Sequence, residues 1–247
     1  MTNTKINHIS LEEVDSTNNY LKILKDSQTL EEFTYVTALF QNAGKGQRGN
    51  TWESQKGQNL MLSVLLRPRT LPLSHHFILS EVVSLALLKA LQAYNSEFSI
   101  KWPNDIYWKD SKIAGILIEN DIEGSSIHES IIGIGLNVNQ ERFLSDAPNP
   151  ISLCQILNQK TDPHLLLEQF HKYLLCENKK MLQGDFESIS QEYQKSLYRL
   201  GDYYRFVDNN GEFKAKIQSV AHDGTLSLID QDGLLRKYLF KEVKYIL

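Results

Sequence analysis

The 247-residue chain lacks the marks of several large protein classes. It has only two cysteines, Cys154 and Cys176, too few for a disulfide framework and without a zinc-site spacing, which suits a reducing cytoplasm. It has no excess of positive charge. Twenty-six basic residues against 30 acidic ones leave a net charge of −4, which provides no global field for gripping a phosphate backbone. It also has no long apolar run: residues 1–11 are polar, and the most apolar stretch, 77–91, is interrupted by Ser80, Glu81, Ser84 and Lys89. Neither export nor membrane insertion is expected. The seven histidines are scattered without metal-ligand spacing, so no bound structural metal is expected, and no serine or cysteine sits in a nucleophile-elbow setting. What is present is 41% hydrophobic and 10% aromatic residues, enough for the core of a globular protein.

The length allows one large domain, or a catalytic domain with a small appendage. Asp15-Ser16-Thr17-Asn18 precedes apolar residues at helical spacing and reads as a helix start. A strand is expected over 34–40, a glycine-rich mobile loop over 44–57 whose one large apolar residue is Trp52, and another strand over 59–66. Residues 74–94 repeat apolar positions at helical spacing. Beta-rich runs at 98–102, 112–119 and 130–138 should be neighbouring strands of one sheet. Asp162-Pro163 opens a helix, and Asp185 caps a shorter one. The last fifty residues read as short strands with turns at Asn209-Asn210-Gly211, Asp223-Gly224 and Asp232-Gly233, the spacing of a small antiparallel barrel. The expected division is residues 1–198 and 199–247.

Several segments carry candidate chemistry. Gly44-Lys45-Gly46-Gln47-Arg48-Gly49 matches the dinucleotide fingerprint formally, but it continues as Asn50-Thr51-Trp52 rather than as an apolar helix, and Arg67 and Arg69 stand where a ribose-binding acid is needed. The nicotinamide and P-loop readings both fail. What remains is a loop whose amides and cations, Lys45 and Arg48, could close over a phosphate or carboxylate, or else a solvated surface loop. In Lys101-Trp102-Pro103-Asn104-Asp105 the proline ends a strand and presents Asn104 and Asp105 at its end, unless Asp105 only caps a turn. Lys112 opens Ile113-Ala114-Gly115-Ile116-Leu117-Ile118, apolar on both faces. A lysine there can face an anion or snorkel to solvent, and Gly115 permits close approach. Asn137, ending Gly133-Ile134-Gly135-Leu136, could meet a base edge or satisfy a turn.

In this order and spacing, 15–18, Gln41 with 44–52, 101–105, 112–119 and 133–137, with a weaker echo at 151–153, resemble the biotin protein ligase family. The resemblance implies an α+β fold: a mixed β-sheet with packed helices, the class II synthetase-like catalytic domain of biotin and lipoate ligases, followed by an SH3-like barrel. It implies ATP and biotin as substrates with Mg²⁺, biotinyl-5'-AMP as intermediate, and a biotin carboxyl carrier protein domain as the acceptor. By the family pattern, Ser16, Thr17, Asn18, Gln41, Gly44, Lys45, Gly46, Gln47, Lys112 and Gly115 line the biotin pocket. Lys45, Arg48, Trp52, Lys101, Asn104, Lys112 and Asn137 serve the nucleotide. Lys112, Asp105, Lys45 and Arg48 carry the chemistry, Lys112 bridging carboxylate and phosphate and Asp105 orienting the incoming amine. No residue is assigned to a metal.

Two departures stand out. The family's loop usually carries arginines where this chain has Lys45 and Gln47, and arginine's planar fork is not fully replaced by either. Only fourteen residues precede Asp15, too few for a winged helix, so no DNA binding is expected. The rival readings are a lipoate or octanoyl protein ligase and a non-catalytic biotin or adenylate sensor. The oligomeric state, a homodimer included, stays open.

Overall fold

The structure, a computed structural model, describes residues 6–144 and 149–247. Its strands are β1 (Asn7–Val14), β2 (Thr34–Gln41), β3 (Leu60–Leu66), β4 (Phe98–Lys101), β5 (Asp105–Trp108), β6 (Ser111–Glu123), β7 (Ser126–Leu136), β8 (Tyr204–Asp208), β9 (Gly211–Val220), β10 (Leu226–Asp230), β11 (Leu235–Tyr238) and β12 (Lys244–Tyr245). The helices are α1 (Thr17–Ser27), α2 (Phe77–Gln92), α3 (Leu153–Leu157), α4 (Pro163–Leu182) and α5 (Phe186–Lys195). The chain divides into two compact units, residues 1–70 with 111–170, and 71–110 with 171–247.

In the first unit the strands run β1-β2-β3-β7-β6, with β1 parallel to β2 and the remaining neighbours antiparallel. All seven residues of β3 are buried, which explains its unbroken apolar sequence around one serine. Helix α1 lies on one face, where Leu21 packs with Val36, Leu65 and Ile131. Burying a side chain such as Leu21 is worth about 1.5–3 kcal/mol, and that contact holds a short helix that would be marginal alone. Ser16 is the N-cap residue in extended backbone, but its side chain makes no capping bond.

The second unit is built around α2, the most apolar segment of the chain, which is buried along most of its length and packs on α5, β4 and β5. Residues 73–92 are long and apolar enough to cross a membrane by composition alone, but here they form a core helix. Within this core Glu81 is fully buried, and its Oε2 accepts a 2.7 Å hydrogen bond from Ser190 Oγ. Burial pushes the Glu81 carboxyl up to about 7, the Ser190 bond opposing this in part and the charge of Glu187 adding to it. The C-terminal residues form a five-stranded antiparallel sheet in the order β11-β10-β9-β8-β12. Gly211, Gly224 and Gly233 take positive φ in its turns, where the sequence places them.

The sequence did not signal β1 and β5. The first is an edge strand with an irregular exposed pattern, and the second is four residues long. Strand β6 also departs from expectation. Ile113, Ala114 and Ile116 are buried, but Gly115, Leu117 and Ile118 are only half-buried, so it is not covered on both faces.

Candidate active site

Strands β3, β6 and β7 gather positions with little or no side chain. Gly115 pairs with Gly135, and Gly133 pairs with Ser63 of β3 and Leu117 of β6. Alternation along the strands puts Ser63, Gly115, Gly133 and Gly135 on the face that carries α1. Side chains from α1 and the 44–57 loop fill the space this leaves. A Cβ on Gly135 would run into the Trp52 indole, and one on Gly133 into the Asn18 amide. The Trp52 ring lies across Gly115 and Gly135, and its Nε1 is buried without a hydrogen-bond partner among the described residues.

The start of α1 supplies a chain of polar groups. Gln41 Oε1 accepts from Thr17 N at 2.7 Å and from Thr17 Oγ1 at 3.0 Å. Ser63 Oγ lies 2.7 Å from Thr17 Oγ1 and 2.5 Å from Asn18 Oδ1, and Asn18 Nδ2 donates to Glu119 Oε2 at 2.7 Å. Ser16, Thr17, Asn18 and Ser63 are buried, Gln41 is half-buried, and the Glu119 residue on β6 is exposed.

The loop expected to be mobile has a hydrogen-bonded backbone of its own. Gly46 N donates to Asn50 O at 2.7 Å and Trp52 N to Gly44 O at 3.0 Å, around a single 3₁₀ turn at Gln47–Gly49. Gly44 is needed there because a Cβ would meet the Trp52 carbonyl. At the loop's far root, the buried Gln140 accepts from Gln55 N and from Asn59 Nδ2. Lys45 is exposed and turns toward α1, its Nζ 2.5 Å from Asn19 Oδ1. Asn19 also donates to Asp15 Oδ2, and this bond, with the nearby Lys45 charge, holds the Asp15 carboxyl below its ordinary value. Gln47 is half-buried; the side chain of Arg48 is outside the described set.

Lys112 stands beside this floor. Its Nζ is 3.3 Å from the place a Cβ on Gly115 would take, and 5.6 Å from the centre of the Trp52 ring. Its backbone is bracketed by the segment before α3: Lys112 N donates to Asn149 O, and Ile151 N to Lys112 O. That segment also meets Asn137, which is buried and donates from Nδ2 to Ile151 O at 3.1 Å. Asn137 thus satisfies a turn through its amide nitrogen.

Lys101, Asn104 and Asp105 belong to the second unit, on the β4–β5 hairpin, where Lys101 pairs with Asp105 across a turn containing the cis Trp102–Pro103 bond. Lys101 Nζ donates to Tyr107 OH at 2.8 Å and lies 5.2 Å from the Tyr245 ring. Trp102 Nε1 donates to Gly224 O. Asn104 and Asp105 are half-buried.

Of the sequence-predicted residues of the first unit, Thr17, Asn18, Gln41, Gly44, Trp52, Lys112 and Gly115 therefore gather at one face, while Lys45 turns toward Asn19 and Asn137 toward Ile151. Reasoning from the sequence missed Ser63 and Glu119, although a single serine inside Leu-Met-Leu-Ser-Val-Leu-Leu was the available signal for the first. A groove of about 840 Å³ lies elsewhere, at the end of α1, lined by Lys25, Glu32, Arg67, Arg69 and Glu129 among others. Three of its charges pair with one another: Glu129 takes Lys25 at 3.1 Å and Arg67 at 2.9 Å. Of the two sites, the glycine floor is the one built for close approach.

The model of the biotin/lipoate A/B protein ligase family matches residues 10–137. The chain is 32% identical over 217 residues to the bifunctional ligase/repressor BirA of Bacillus spizizenii, a match covering 84% of this chain and 65% of that protein. It is 37% identical over 131 residues to the biotin--[acetyl-CoA-carboxylase] ligase of Paracoccus denitrificans, covering 52% of this chain and 53% of that one. Among solved structures, a biotin protein ligase from Aquifex aeolicus in complex with biotin and ATP aligns with a TM-score of 0.80 at 27% identity, over 97% of this chain and 99% of the other. The chain thus spans just under two thirds of the Bacillus relative and about half of the Paracoccus one.

Proposed function

The chain belongs to the biotin/lipoate A/B protein ligase family, and from that premise we propose that it is an ATP-dependent biotin protein ligase. In the first step a biotin carboxylate oxygen attacks the α-phosphorus of ATP, and biotinyl-5'-AMP forms as pyrophosphate leaves. In the second, the ε-amine of a lysine on a biotin carboxyl carrier domain attacks the acyl carbon and AMP departs. The observation that carries this reading is the glycine floor with Lys112 beside Gly115 and, over Gly133 of the same floor, the Asn18 amide of the polar chain of Thr17, Asn18 and Gln41. Joining a carboxylate to a phosphate brings like charges together, so a cation aimed at the developing charge is the main requirement. Lys112 meets that requirement, bridging the two groups. Ser16, Thr17, Asn18 and Gln41 hold the ureido end, and Gly44, Gly46, Gln47 and Gly115 shape the rest of the pocket.

In the same reading Lys45 and Arg48 move onto the nucleotide, Trp52 covers it and Asn137 borders the adenine, while Lys101, Asn104 and Asp105 serve the nucleotide and the acceptor amine. A mixed anhydride hydrolyses readily, so a loop closed over it protects the intermediate. No group of three or more His, Cys, Asp or Glu able to hold a metal occurs among the described residues, which does not fit a protein-built magnesium site. Mg²⁺ in this scheme arrives with the phosphates. The five-stranded C-terminal sheet is read as an SH3-like module over 199–247, following a catalytic region over 1–198. Two free cysteines accord with a reducing compartment such as the cytoplasm, and the net charge of −4 with a chain that does not bind DNA.

The decisive experiment is incorporation of labelled biotin into a purified carrier domain with ATP and Mg²⁺. The wild type should transfer label and Lys112→Ala should lose at least about a hundredfold, a typical cost of removing one preorganised electrostatic group. Asp105→Asn should retain pyrophosphate release and lose transfer; equal loss of both half-reactions would remove Asp105 from the second step. Stabilisation by lipoate instead of biotin would move the chain to the lipoate branch of its family.

A further inference from the structure

The polar chain contains two residues that nothing so far assigns. Asn18 sits between them, its Nδ2 on Glu119 Oε2 at 2.7 Å and its Oδ1 2.5 Å from Ser63 Oγ. A carboxylate accepts and does not donate, so Glu119 claims the amide nitrogen, and the amide oxygen faces the Ser63 hydroxyl, whose one proton it shares with Thr17 Oγ1 at 2.7 Å. Both ends of Asn18 are fixed, and the amide cannot turn over without losing two bonds. Gly133 makes the arrangement possible, since any side chain there would displace the amide. Gln41 is fixed in the same way from the other side: its Oε1 takes both the N–H and the hydroxyl of Thr17, leaving its Nε2 beside Gly44 as a donor.

We propose that Glu119 and Ser63 are positioning residues that lock the Asn18 amide with its remaining N–H available, so that, together with Gln41 Nε2, the pocket offers N–H donors selective for a neutral carbonyl oxygen such as that of a urea. The proposal rests on the biotin reading and deepens it. Neither Glu119 nor Ser63 needs to touch the ligand. Ser63 lies at the bottom of the chain, fully buried in β3, and Glu119 is at its exposed end on β6. Their effect passes through the direction in which Asn18 faces.

The test compares biotin with 2-thiobiotin, a neutral analogue whose carbonyl oxygen is replaced by sulfur, a weak acceptor. Affinities of the full chain for both ligands are measured by calorimetry in the wild type, Glu119→Gln and Ser63→Ala. Glutamine keeps the size of Glu119 and can donate, which releases the amide. Wild type should prefer biotin, and each variant should narrow the ratio of the two affinities about tenfold, the scale of one well-placed hydrogen bond, with ATP affinity unchanged. Steric exclusion of sulfur is common to all three proteins and cancels in the comparison. A variant that binds both ligands proportionally more weakly at constant ratio, or that loses ATP binding or its thermal transition, overturns the inference, because the residues then serve only the fold. If the wild type binds neither ligand, the biotin reading itself fails, which is distinct from a wild type that discriminates and variants that do so equally.

Discussion

A methyl group at Gly135 would occupy the space of the Trp52 indole, and nothing on β7 can move to admit it, because the strand is hydrogen-bonded on both sides. The loop would have to give way instead. Gly135→Ala should therefore expel Trp52, shifting its fluorescence to the red and lowering adenylate formation about tenfold, the equivalent of about 1.4 kcal/mol in the barrier. Stopped-flow pyrophosphate release with emission spectra checks both. The substitution should change the thermal midpoint little, since Trp52 is only half-buried and the core under α1 lies four residues along the strands, at Leu65 and Ile131. Unchanged emission would mean that the indole does not depend on the glycine.

Between elements, the packing of α2 on α5 contains a group out of keeping with its surroundings. Glu81 is buried and its carboxyl is pushed up to about 7. An acid whose value in the fold exceeds its ordinary value contributes stability that is present below about 4.5 and is lost as pH rises through about 7, because the fold must then bury a charge. Glu81→Gln removes that charge and can keep the Ser190 hydrogen bond. The variant should gain roughly 2–3 kcal/mol over the wild type at pH 8 and little at pH 4.5, measured by denaturant titration at both values. A gain independent of pH would refute the titration.

The elements also differ in how plainly the sequence announces them. The start of α4 was legible because one local pair does the work: Asp162 Oδ1 takes the His164 amide and Pro163 begins the helix. Helix α2 was legible through apolar periodicity, and strands β2, β3 and β7 as short β-rich apolar runs. Strand β1 was not, since an edge strand pairs on one side and its exposed residues obey no alternation. In the site, Thr17, Asn18, Gln41, Lys112 and Gly115 could be named in advance through the motifs that carry them. Ser63 and Glu119 were not, because apart from the lone serine in an apolar strand their importance lies in bonds spanning 45 and 101 residues of chain. The order in the 44–57 loop was hidden for a similar reason: its glycine-rich composition says nothing of backbone bonds closing on themselves.

For the whole molecule, the floor, the walls and Lys112 come from distant parts of the chain, so any ligand touching all of them stabilises the fold as a unit. Biotin or ATP alone at about a hundred times its dissociation constant should add roughly 3 kcal/mol, raising the midpoint by about 5–10 °C for a chain of this size, and the two together about twice as much. Differential scanning fluorimetry with each ligand alone and both together reads this. A shift with both no larger than with either alone would argue against the joint intermediate. The order in which the chain leaves the ribosome adds a temporal consequence. Asn18 and Trp52 are made well before Gly133 and Gly135, the glycines they rest on, with about eighty residues between the loop and its floor. At elongation speeds of about 5–20 residues per second the tryptophan emerges roughly 4–16 s before its seat exists. A nascent chain therefore has no competent pocket until residue 135 has emerged, and for that interval an indole and the apolar face of α1 are left for a chaperone to cover.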